Sequence, residues 1–149
     1  MNGRLKMAVL TAAVYAIAAQ HSQASFWRVQ QSGPQHVVID KSQQVLRAYE
    51  GNRVVLETHI STGRRGKETP NGRFHAQSKS PMHYSRLYGN APMPYSVQIA
   101  GNYFIHGFAS VPSYPASHGC IRVPVDSARE FYEWVRPGTP VDIVGGWRS

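Results

Sequence analysis

A single cysteine occurs in the 149-residue chain, inside Ser117-His118-Gly119-Cys120-Ile121-Arg122. A thiol two residues from an imidazole has a base or a cation at hand to form its thiolate. A second His-Gly pair, His106-Gly107, precedes it. Cysteine attack on a carbonyl needs a thiolate, a histidine that takes and returns a proton, and donors for the oxyanion. His106 or His118 can serve as the base. Gly119 lets the backbone come close to a ligand, and the amides of Gly119 and Cys120 are candidate oxyanion donors. Two blander readings use the same residues. Cys120 can be a buried structural thiol. Alternatively His106, His118 and Cys120 can hold zinc with His83 or His75, although His-x-Cys is an unusual zinc spacing and the chain has no Cys-x-x-Cys pair.

The N-terminus bears on the choice. Arg4 and Lys6 precede a 13-residue apolar run, Met7 to Ala19, and the polar stretch after it ends Ser22-Gln23-Ala24. Residues 1–24 therefore read as a cleaved export signal. The run is short for a membrane span, an uncleaved anchor being the alternative. No cysteine follows the run, which excludes a lipid-modified N-terminus. Exported proteins that use cysteine for stability carry it in even numbers, so a single one points to reactivity. The expected location is the periplasm or cell envelope. Removing Arg4 and Lys6 from a chain of net charge +8 leaves 125 residues at +6. That is one domain with room for its own core. Its basic surface suits an anionic polymer such as a bacterial wall. Nucleic acid is excluded as a partner by export and by the lack of a binding motif.

The elements that must position these groups are mostly strands. After a lead-in over residues 25–35, strands are predicted at His36 to Asp40, Gln44 to Glu50 and Arg53 to Ser61, with a turn at Gly51-Asn52. In the third, Val54, Leu56, Thr58 and Ile60 alternate with Val55, Glu57 and His59. Gly63 to Gly72 is a basic loop carrying Arg64, Arg65 and Lys67, solvated or in contact with the wall. A strand follows at Arg73 to Lys79, and then a loop from Ser80 to Pro94. Tyr95 to Ile99 and Tyr103 to Ile105 form a hairpin turning at Gly101-Asn102. One helix begins at Pro124, with Asp126 as N-cap, and stops at Pro137-Gly138. Its Ala128, Phe131, Tyr132 and Val135 share a face. Val141 to Val144 is the last strand. The sum is a mainly β domain, a sandwich or flattened barrel, with one packed helix after the cysteine.

These blocks resemble the L,D-transpeptidase catalytic domain, or YkuD, family. Ile105-His106-Gly107 followed by Ser117-His118-Gly119-Cys120-Ile121-Arg122 is similar to its signature. Ser61-Thr62-Gly63, Thr69-Pro70-Asn71-Gly72-Arg73-Phe74, Met93-Pro94-Tyr95 and Gly138-Thr139-Pro140-Val141 are similar to further family blocks in the same order. The resemblance covers about His36 to Val144 and marks 36–149 as the catalytic domain. It implies that Cys120 is the nucleophile and His106 the base, oriented by the carbonyl of Gly107. It implies that His118 lines the site and that the Gly119 and Cys120 amides form the oxyanion hole. On the substrate side it leaves Ser117, which also supports the turn, and Arg122, which grips a stem carboxylate or anchors the turn. Tyr95, and His83 and Tyr84 of the Pro-rich loop, are the other candidates.

The implied reaction is acyl transfer from a peptidoglycan stem peptide through a Cys120 thioester, with no metal or organic cofactor. The acceptor is a second stem, a lysine of an outer-membrane protein, a D-amino acid or water. With water the enzyme is an L,D-carboxypeptidase or an amidase releasing wall-linked protein, and the alternative outside enzymes is a wall-binding module that keeps the fold without turnover. Carbapenems are expected to acylate Cys120. Two departures stand out. The segment between His106 and Ser117 is short, which implies a small lid, and Arg122 stands where the family often has asparagine. No oligomeric state is read from the sequence.

Overall fold

The computed structural model describes residues 33–146. The export-signal reading of residues 1–24, most of the lead-in and Trp147 lie outside the described residues. Within them, nine strands form two sheets. The first has the order β3-β2-β1-β9-β4, with β1 Gln35–Asp40, β2 Val45–Glu50, β3 Arg53–His59, β4 Gly72–His75 and β9 Pro140–Val144. The second has the order β5-β6-β7-β8, with β5 Lys79–Tyr84, β6 Pro92–Ala100, β7 Tyr103–Gly107 and β8 Ile121–Val123. The helix α1, Val125–Trp134, packs against β6 and β7.

Period-two alternation builds the core. Val37, Ile39, Leu46, Ala48, Val141 and Ile143 point inward from the first sheet, and Val97, Ile99, Ile105, Ile121 and Val123 from the second. Ala128, Phe131 and Val135 add the helix stripe, and all three are fully buried. Phe131 alone contributes on the order of 2–3 kcal/mol by leaving water. The domain is thus the expected β-sandwich with one packed helix.

Four local expectations are corrected. The single strand from Arg73 to Lys79 is two, because the chain leaves the first sheet after His75 and enters the second at Lys79. The Ser80 to Pro94 loop is mostly strand: Pro81 fits in β5 because β5 is an edge strand, where a missing N–H costs no ladder bond. The alternation in β3 holds for Leu56 and Thr58 but breaks at Val54, which is 45% exposed. A bulge opposite Ala48 and Tyr49 shifts the register there. Asp126 is not the N-cap. Pro124 holds that place without a side-chain hydrogen bond, and Asp126 lies in the first turn, where its charge faces the positive end of the helix.

Beyond β3 the chain crosses to the edge of the second sheet. Ser61 and Arg122 exchange backbone hydrogen bonds of 3.0 Å in both directions, and Gly63 pairs with Ser117. The loop then doubles back so tightly that a Cβ on Gly63 would lie 1.9 Å from the carbonyl oxygen of Lys67 and 2.8 Å from the amide nitrogen of Thr69. Backbone cannot yield as a flexible side chain can. Gly63→Ala is therefore expected to cost about 3 kcal/mol, at the upper end of overpacking, and urea unfolding measures it.

Candidate active site

Topology explains why residues far apart in sequence meet. β7 and β8 are neighbouring parallel strands, with Ile105 beside Ile121 and His106 beside Arg122. Ile105, Ile121 and Val123 take the core side. The other side therefore receives Phe104 and His106 from β7, and Cys120 and Arg122 from the start of β8. These four line one cavity of about 450 Å³, roofed by the 85–91 connection between β5 and β6 through Leu87 and Tyr88.

His106 is 5% exposed, and its Nδ1 lies 2.8 Å from the carbonyl oxygen of Gly107. A carbonyl only accepts, so Nδ1 carries the proton and Nε2 keeps its lone pair. Burial drives the His106 pKa from 6.5 down to about 4, against the Gly107 hydrogen bond and with the Arg122 and His83 charges. The ring is a neutral base at pH 7. Gly107 itself is hemmed in: a Cβ there would lie 3.2 Å from Pro94 Cγ and 3.3 Å from Ala128 Cβ.

Cys120 is half-buried, and its thiol points to the Asn102 carbonyl at 3.5 Å. Burial pushes the thiol pKa above its ordinary value, outweighing the Phe104 backbone hydrogen bond and the Arg122 charge. The resting pair is therefore neutral thiol and neutral imidazole. His118 is exposed and stacks on Tyr88 at 4.3 Å between ring centroids. Its pKa is lowered by partial burial and then by Arg64, Arg122 and Lys67.

The loop ahead of Cys120 is tied together by short contacts. Ser117 Oγ donates to the carbonyl of Cys120 at 2.5 Å and accepts from the Gly119 amide at 3.0 Å. Gly119 has φ +127°, which only glycine adopts without strain. Thr69 Oγ1 donates to the Gly119 carbonyl at 2.7 Å. Thr62, whose carbonyl accepts from the Ser117 amide at 3.0 Å, is held by Gln44 through both ends of the glutamine amide.

The structure revises the substrate-side candidates. Ser117 is 2% exposed and lines the cavity, but its hydroxyl is committed twice within the turn, which it supports. The Tyr95 ring packs towards Tyr132 of the helix at 5.8 Å, away from the cavity. Tyr84 is 49% exposed and lies outside the cavity lining. His83 does line it, stacked on Phe104 at 4.9 Å. Arg122 Cζ sits 4.2 Å above the Phe108 ring. Among the described residues its guanidinium has no carboxylate partner and no hydrogen bond to a backbone carbonyl.

Sequence reasoning missed Tyr88, Leu87 and Phe108. Their segments lie outside the periodic runs, and their place at the cavity appears only once the strands pair. A second cavity of about 440 Å³ adjoins the first at Cys120, Tyr88 and His118 and is lined further by Lys67, Glu68 and Tyr103. Among the described residues no three His, Cys, Asp or Glu side chains are grouped to hold a metal, as the zinc alternative requires.

A β-sandwich with a cysteine and a buried neutral histidine on one cavity wall defines a class, and the comparisons say which. The family profile of the L,D-transpeptidase catalytic domain (YkuD) matches residues 34–143. The chain belongs to that family. A comparison with curated proteins gives no match. Among solved structures, an L,D-transpeptidase from Stackebrandtia nassauensis superposes with a TM-score of 0.71 at 23% identity, over 76% of this chain and 57% of that one. One from Xylanimonas cellulosilytica gives 0.68 at 30% identity, over 83% and 69%. One from Enterococcus faecium, a cysteine-to-serine mutant, gives 0.67 at 27% identity, over 74% and 50%. The chain thus spans between half and about two thirds of the length of these three structures.

Proposed function

We propose that this protein is an exported L,D-transpeptidase that moves an acyl group between peptidoglycan stem peptides through a thioester on Cys120. The observation that carries this reading is the placement of Cys120 on the lining shared by two adjoining cavities, with His106 and Arg122 on the wall of the first. A two-step exchange needs room for a donor and an acceptor beside one sulfur.

In the first half-reaction His106 Nε2 takes the thiol proton as Sγ attacks the carbonyl before the terminal D-alanine. The oxyanion is met by the Cys120 amide, since the Gly119 amide is already bonded to Ser117. The intermediate expels D-alanine, whose amine leaves with the proton from His106. In the second half an acceptor amine attacks the thioester, His106 removes its proton, and the thiolate departs. Neutral groups suit this cycle. A thiol and an imidazole of low basicity exchange a proton only when substrate arrives, which protects Cys120 from oxidation between turnovers.

Arg122, stacked but without an anion, is the partner for a donor carboxylate. Arg122→Gln is expected to raise the donor KM by about tenfold or more, the worth of a hydrogen bond to a charged group, as steady-state kinetics will show. The function itself is tested by incubating the protein with disaccharide-tetrapeptide, with and without a second stem. A crosslinked dimer is the expected product. Tripeptide without dimer would make water the acceptor and the enzyme a carboxypeptidase. Unchanged tetrapeptide would overturn the reading.

A further inference from the structure

Among the described residues, Thr69 is the buried side chain that joins the basic loop to the cysteine loop. It is 1% exposed, and its hydroxyl makes two hydrogen bonds. Oγ1 accepts from the Gly63 amide at 2.9 Å and donates to the Gly119 carbonyl at 2.7 Å. Its own carbonyl accepts from Lys41 Nζ at 2.7 Å. Thr69 is therefore fixed at both ends, by the Gly63 backbone and by Lys41, before it touches Gly119.

That contact matters because of the peptide plane. In a trans peptide the carbonyl of one residue and the amide of the next point in opposite directions. Holding the Gly119 oxygen on Thr69 thus turns the Cys120 amide the other way. Glycine at φ +127° has no Cβ to resist rotation of this plane. The Ser117 bonds hold the Gly119 amide and the Cys120 carbonyl, one peptide unit away on either side, but neither holds the Gly119–Cys120 plane itself.

We infer that Thr69 is a positioning residue: its hydroxyl locks the Gly119–Cys120 peptide so that the Cys120 amide faces the oxyanion formed on attack. The inference rests on the acyl-transfer reading, and it predicts a selective defect. A carbapenem acylates Cys120 when Sγ bonds to the lactam carbonyl, the C–N bond breaks and the ring nitrogen takes the proton, a path through an oxyanion. Iodoacetamide alkylates the same sulfur by displacing iodide, with no oxyanion on the path.

The test follows both reactions by intact mass in native protein, Thr69→Val and Thr69→Ser. Thr69→Val is expected to slow carbapenem acylation by about 100-fold, the loss of an aimed oxyanion donor, while iodoacetamide alkylation stays within about twofold. Thr69→Ser, which keeps the hydroxyl, is expected to restore acylation to near the native rate. Equal slowing of both reactions would make Thr69 a general support of the fold or of the thiol, and no slowing of either would remove its role; each overturns the inference alone. Should Thr69→Val not fold, Lys41→Met frees the Thr69 carbonyl and must give the same selective loss in smaller degree. Native protein that is alkylated but never acylated would instead bring down the acyl-transfer reading, and this inference with it.

Discussion

Cys120→Ala is expected to lose all measurable turnover, a fall of about 10⁴-fold or more, with the fold unchanged. The side chain is only half-buried and its one hydrogen bond is a weak contact to the Asn102 carbonyl, so little packing depends on it. Denaturant midpoints of Cys120→Ala and native protein are expected to agree within about 0.5 kcal/mol. A large loss of stability would make Cys120 a structural thiol, and residual turnover would move the chemistry to another group. Because the thiol pKa is raised by burial, alkylation by iodoacetamide in the absence of substrate is expected to be slow at pH 7 and to climb with pH.

His106→Gln is expected to lower turnover by about 10³-fold, since a neutral thiol has no other buried base within the cavity. The pH profile carries the sharper test. His106 must be neutral to accept the proton, and its pKa is about 4 in the fold. Acylation is therefore expected to fall only as pH drops towards about 4, with no inflection near 6.5. The same group links pH to stability. Its pKa of 6.5 is depressed to about 4 on folding, so the unfolded chain binds the proton first. Stability from His106 is fully present above pH 6.5 and is lost as pH falls through 4. The loss amounts to about 3 kcal/mol at most. His106→Gln lacks the titrating group, so urea unfolding at pH 7 and pH 4 should show a smaller drop than in native protein. Equal drops in the two proteins would mean that His106 is not held neutral by burial.

The candidate site was legible because its residues fall in two short blocks. Ser117-His118-Gly119-Cys120 and His106-Gly107 point to a thiol and an imidazole as candidates, and the structure sets Cys120 and His106 on one cavity wall. What the sequence hid was pairing. β8 is three residues long and shows no alternation of its own, yet its parallel register with β7 is what sets Arg122 beside His106. β5 was obscured by Pro81, which an edge strand tolerates. Ser117 reads as a polar residue next to the thiol, and only the packed loop shows its hydroxyl spent on Gly119 and Cys120. Tyr95 sits in a family block, but its φ of +53° within β6 marks an irregular strand, and its ring packs towards the helix. Tyr88, four residues further than Tyr84, is the tyrosine that reaches His118.

The central claim is that Cys120 stores the acyl group. Intact-mass spectrometry of native protein quenched with acid after brief mixing with disaccharide-tetrapeptide tests it directly, with peptide mapping to locate the adduct. The account predicts an added mass equal to the donor less D-alanine, on the peptide containing Cys120, and its disappearance when an amine acceptor or hydroxylamine is added. Release of D-alanine with no adduct at Cys120 at any mixing time, from protein whose thiol still reacts with iodoacetamide, would contradict it.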